Sequence, residues 1–94
     1  AAHRHTPEIE QTLSKVAGRA ATVTFVPHLL PVNRGILSTI YARMKPGVTL
    51  EGVRAAYEQA YRDERFVRVL PAGVGVDIRH VKCSNYCDIQ LYAD

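Results

Sequence analysis

Six residues near the start of the chain, His3-Arg4-His5-Thr6-Pro7-Glu8, place two imidazoles, a guanidinium and a carboxylate at what reads as the entry to a helix. Imidazole exchanges a proton near neutral pH, so either histidine can serve as an acid or a base. A guanidinium grips phosphate or carboxylate through two parallel hydrogen bonds, and the positive end of a helix favours the same ligands. The alternative is an exposed capping segment with no chemistry of its own. A metal site built from His3, His5 and Glu8 would want further ligands, and none is expected.

A second group is Pro27-His28-Leu29-Leu30-Pro31-Val32-Asn33-Arg34-Gly35. Two prolines stiffen this loop, so Arg34 is either preorganised for a ligand or a solvated residue of a connecting loop. Gly35 would let a ligand or another chain come close. A third group is Cys83-Ser84-Asn85-Tyr86-Cys87. A nucleophilic thiol needs a base or a positive environment. Lys82 adjoins Cys83 but alternates to the other side of a strand, so both thiols read as structural. Gly73-Val74-Gly75 lacks the third glycine and the strand-to-helix setting of a dinucleotide site, so no cofactor is expected to bind this chain.

Composition narrows the classes. The 94 residues are 47% hydrophobic and 22% charged, with a net charge of +3, as expected for one globular domain. The arginines are scattered, without the basic patch and interleaved aromatics of a nucleic-acid binder. No apolar run reaches membrane-spanning length and no secretory leader is visible. Two cysteines four apart are too few for a disulfide scaffold or a zinc site, so reduced thiols in the cytoplasm are expected. The missing initiator Met and the end at Asp94, directly after a strand pattern, suggest a piece of a longer protein.

The elements that must position these groups follow from periodicity. Thr6 caps a helix carrying Pro7 in its first turn, Ile9, Leu13 and Val16 on one face, and Gly18 as its stop. Thr22–Val26 alternates as a strand, with Val23 and Phe25 on one side. Ile36–Met44 reads as the longest strand, with Ile36, Ser38, Ile40, Ala42 and Met44 on one face. Thr49 caps a second helix to about Arg62, with Leu50, Val53, Tyr57 and Tyr61 as its inner stripe and Glu58–Arg62 as a surface pair. Strands at Phe66–Leu70, Ile78–Lys82 and Cys87–Tyr92 complete the order. The predicted fold is α+β, a mixed and largely antiparallel sheet with helices packed on one face.

Three segments together carry a resemblance: HRHTPEIEQ (His3–Gln11), VPHLLPVNRGILSTI (Val26–Ile40), and FVRVLP followed by CSNYCDI (Cys83–Ile89). Their order and spacing resemble the N-acetyl-gamma-glutamyl-phosphate reductases, across nearly the whole chain. Cys83 departs from that pattern, which usually has Gly before Ser-Asn, and puts local packing in doubt. The resemblance implies an NADPH-dependent reduction of an acyl phosphate to an aldehyde, in arginine biosynthesis, through a cysteine thiolate and a histidine acid–base. It implies that residues 1–94 are one partial domain, similar to the C-terminal half of glyceraldehyde-3-phosphate dehydrogenase, which binds substrate and joins subunits through its sheet.

By the same resemblance the nucleophile and the NADPH domain lie elsewhere, neither Cys83 nor Cys87 matches the nucleophile, and this piece alone is inactive. His3 and His5 match the paired histidines, one of which is the acid–base. Arg4, Glu8, His28 and Arg34 are the candidates for substrate contact, with Glu8 orienting an imidazole as an alternative. In related aspartate-semialdehyde dehydrogenases the catalytic His falls where this chain has Ile36, which argues against that sister activity. The competing expectation is a stand-alone self-association module using the Ile36–Met44 face.

Overall fold

The computed structural model describes residues 3–94. The chain divides into two compact units, one ending at Pro31 and the other running Val32–Asp94.

The first unit is built on helix α1, Thr6–Ala17. Its C-terminus follows the sequence expectation: Gly18 takes the left-handed conformation at φ 70° and its N–H donates to the Ser14 carbonyl. Its N-terminus does not. Thr6 is already helical, the cap position falls on His5, and no side chain caps the helix. The preceding turn explains the shift, because the Thr6 N–H is taken by the His3 carbonyl at 3.0 Å and the His5 N–H by His3 Nδ1 at 3.1 Å. The Thr6 hydroxyl is left buried without a partner.

After Gly18 the chain turns back. The Ala21 N–H donates to Ser14 Oγ at 2.8 Å, tying the returning segment to the helix. Along 21–26 exposure alternates residue by residue, with Val23 and Phe25 on the more covered side. The predicted face is therefore correct. The segment is nonetheless no strand, since it forms no ladder with any described residue. Period-two patterning selects a face, but a strand also needs a partner for its backbone.

In the second unit Thr49 caps helix α2, Leu50–Ala60, by accepting the Gly52 N–H at 3.1 Å. Leu50 and Val53 are partly covered, whereas Tyr57 and Tyr61 lie at the exposed end of the expected stripe and pair edge-on at 6.1 Å. The helix stops before Arg62, and the Glu58–Arg62 pair is not among the ion pairs of the described residues.

Strands β1 (Val67–Val69) and β2 (Cys87–Ile89) run parallel in the register Val67↔Cys87, Arg68↔Asp88, Val69↔Ile89. A parallel pair fits the mixed sheet expected, and no antiparallel ladder occurs among the described residues. Residues 78–82 were expected to form an intervening strand, but Asp77 accepts the Arg79 N–H at 2.8 Å and holds its guanidinium, closing a 3-10 turn over Ile78–His80. A local side-chain bond of this kind competes with ladder formation. Residues 70–86 form the long connection that a parallel pair requires. Arg79 holds the Asp77 carboxyl well below the usual carboxylate range, first through its side chain and then its backbone N–H. The turn's stabilisation is complete above the ordinary carboxylate value and fades as the pH falls below it.

Two arginines organise this unit. Arg68 meets Asp88 across the register in a two-pronged pair, at 2.6 and 3.0 Å, and its guanidinium carbon lies 4.1 Å from the Tyr86 ring centre. That pairing raises the Arg68 pKa above its ordinary value. Arg54 on α2 donates to the Leu70 carbonyl at 2.6 Å, the Leu91 carbonyl at 3.3 Å and Gln90 Oε1 at 2.8 Å. It thereby clasps the residues that leave both strands.

The remainder of the unit is open. Residues 36–44, expected as the principal strand, form no ladder, and Ile36, Ile40 and Tyr41 are 87%, 83% and 91% exposed. Large apolar residues fall on both sides of this stretch (Ile36, Ile40 and Met44 on one, Leu37 and Tyr41 on the other), so a core on one side alone could not cover them. No described residue is fully buried.

Two backbone positions give direct tests. Cys83 is a non-glycine residue at φ 61°, a conformation costing an L-residue roughly 1–2 kcal/mol. Cys83→Gly is expected to stabilise the protein by about 1 kcal/mol in urea titration, after the entropy of the added glycine is subtracted. Gly35 has φ 102°, and a Cβ there would lie 2.7 Å from Ile78 Cγ2. Gly35→Ala is expected to lower stability by about 1–3 kcal/mol in the same titration.

Candidate functional site

The first unit gathers chemistry along one face of α1. His5, Glu8, Ile9, Thr12 and Leu13 recur at the spacing of a single helical stripe. Phe25, brought back by Gly18 and the Ser14–Ala21 clasp, closes the far side. These six residues line an open, mostly apolar recess of about 550 Å³.

His3 stands beside the recess. Its ring centre is 4.8 Å from that of His5 and 5.1 Å from that of Phe25, edge-on to the latter. Because His3 Nδ1 accepts the His5 backbone N–H, the neutral His3 ring must carry its proton on Nε2. A proton added at Nδ1 would cost that bond. The His5 ring has no hydrogen-bond partner among the described residues, and both of its nitrogens are free to exchange a proton. The two imidazoles, equivalent in sequence, therefore differ in structure. His3 holds the turn, and His5 faces the recess.

The other candidates divide. Glu8 lines the recess with His5 but makes no hydrogen bond to either imidazole, so it does not orient them. Arg4 is exposed between the histidines and pairs with no carboxylate among the described residues. His28 is exposed and is not among the residues lining the recess. Arg34 belongs to the second unit, in the bend before Gly35. The close approach expected at Gly35 is real, but what approaches is the Ile78 side chain.

Sequence reasoning passed over Phe25 and Ser14. Phe25 was placed on the correct side of its segment but not beside His3. Ser14 gave no signal, since a mid-helix serine is ordinarily solvated. Both cysteines are reduced and exposed. The glycines after β1 do not fit a dinucleotide. Gly73 serves a turn at φ 86°, and the next helical element is the three-residue 3-10 turn, too short to present a row of N–H groups. No group of three potential metal ligands occurs among the described residues, and no described helix is long and apolar enough to cross a membrane.

Known proteins agree with the resemblance drawn from the three motifs. The chain is 55% identical over 95 residues to an N-acetyl-gamma-glutamyl-phosphate reductase of Brachyspira hyodysenteriae, covering 100% of this chain and 27% of that protein. It is 56% identical over 94 residues to the protein of that name from Desulforamulus reducens, again covering 100% and 27%. The corresponding protein of Pelotomaculum thermopropionicum is 55% identical over 94 residues, with the same coverage. The chain thus spans about a quarter of the length of these relatives. A family described as semialdehyde dehydrogenase, dimerisation domain, matches residues 1–94, and the chain belongs to that family.

Proposed function

We propose that this chain is the substrate-side, subunit-joining part of an N-acetyl-gamma-glutamyl-phosphate reductase, a cytoplasmic oxidoreductase of arginine biosynthesis. The single observation that carries the reading is the His3–His5 pair at the mouth of a recess, in a chain more than half identical to proteins of that name. The parent uses NADPH, which supplies a hydride when bound. The Gly73–Gly75 segment does not fit that cofactor.

Within the parent, His5 is the acid–base. It is the imidazole with two free nitrogens on the recess, positioned to take up or return the proton exchanged as a thiol from elsewhere in the parent attacks the acyl carbon. His3 is a positioning residue, acting through its bond to the His5 backbone. Arg4 and Arg34 are the cations offered to the substrate's phosphate and carboxylate.

The subunit-joining role rests on residues 36–44, whose apolar side chains the chain leaves in solvent. A second copy paired with this stretch would supply the backbone partner and the apolar cover it lacks. The same exposure favours the competing reading, a stand-alone self-association module without catalysis. The two differ in turnover.

Two experiments test this. In the complete reductase, His5→Asn is expected to lower kcat by about 10²–10⁴. His3→Asn, which keeps an acceptor for the His5 N–H, should lose much less than His3→Ala. Full reductase rates in His5→Asn would refute the assignment. Ile40→Asp is expected to shift the protein toward monomer in sedimentation velocity, and an unchanged oligomer would remove residues 36–44 from the interface.

A further inference from the structure

Helix α1 has two candidates for its start, and the structure uses the weaker one. The cap position falls on His5, which is already helical at φ -81° and ψ -15° and whose side chain caps nothing. The entry is held by His3 instead. Its Nδ1 accepts the His5 N–H at 3.1 Å, and its carbonyl accepts the Thr6 N–H at 3.0 Å. Next in the chain stand Thr6, a residue type suited to capping, and Pro7, suited to the first helical position after such a cap. The Thr6 hydroxyl is buried and has no partner. A buried hydroxyl left unpaired is costly, and a helix that begins after Thr6 relieves it. The Ile9 N–H now donates to the His5 carbonyl at 3.0 Å. It is also the amide that a Thr6 cap accepts from.

We propose that protonation of His3 moves the start of α1 from His5 to Thr6 and so withdraws His5 from its working position. The proposal rests on the reading of His5 as the acid–base, and it adds a pH-operated switch to it. A proton on His3 Nδ1 removes the acceptor that the present turn depends on. Imidazole changes charge between about pH 5 and 8, so the switch lies in the working range of an enzyme. The charged or titratable groups beside His3 in the first unit are Arg4, His5 and Glu8. Arg4, a protonated His5 and the positive end of the helix all repel a charged His3 and favour its departure. Glu8 attracts it but bonds neither imidazole in the present arrangement. Residues 21–26, whose Phe25 ring meets His3 edge-on at 5.1 Å, bring no titratable group. Each bond exchanged joins residues of the segment 3–9, so the switch is local to the entry of the helix.

The test uses the complete reductase in the aldehyde-oxidising direction, with kcat/KM followed between about pH 5 and 8. Each further proton that inactivates the enzyme adds about tenfold to the fall per pH unit on the acid side. His3→Asn keeps an acceptor for the His5 N–H, and that acceptor does not titrate. Its acid-side fall is expected to be shallower than the parent's by that one proton. Thr6→Val removes the alternative cap and is expected to move the parent's fall to lower pH. Hydrogen exchange of the His5 amide, corrected for its intrinsic pH dependence, is expected to quicken through the same range in the parent but not in His3→Asn. Equal steepness in the parent and His3→Asn, or exchange at His5 that does not respond to pH in the parent, would overturn the switch while leaving the reductase reading intact. Full rates in His5→Asn would overturn the acid–base reading beneath it.

Discussion

The chain carries more apolar surface than it can cover. No described residue is fully buried. What order exists comes from local devices: a left-handed glycine, a serine clasp, a threonine cap, two arginine clamps and one short parallel pair. Such interactions each contribute about 1 kcal/mol or less beyond the water they replace. They can set the path of the chain, but they cannot substitute for a core. Dependence on other surfaces is therefore built into the composition, and a dimerisation-domain family is where such a composition belongs.

Much of the first unit was legible in the sequence because its signals are local. Proline in the first turn, glycine at the end and the Ile9–Leu13 stripe define α1 almost to the residue. The alternation of Val23 and Phe25 was correct as a statement about faces. The cap was misplaced for a reason that no residue type announces: the His3 side chain reaches back to the His5 backbone and closes a turn one residue earlier. The same bond separates two histidines that spacing alone left equivalent.

Errors in the second unit share one origin. Strand assignments from alternation assume that a partner exists. Residues 36–44 have the pattern without the partner, and residues 78–82 lose theirs to the Asp77–Arg79 turn. Cys83 shows the opposite case, since the resemblance, with Gly expected before Ser-Asn, put local packing in doubt there, and the backbone is left-handed.

The crossover between the strands also bears on how the chain acquires its form. Val67 waits for Cys87 as the chain is made, and neither strand has another neighbour to hold it meanwhile. Closing such a loop costs entropy before any ladder bond repays it. Arg54 on α2 meets the carbonyls of both Leu70 and Leu91, so one side chain ties the two strand ends to a single helix and shortens the loop that the pair must otherwise close.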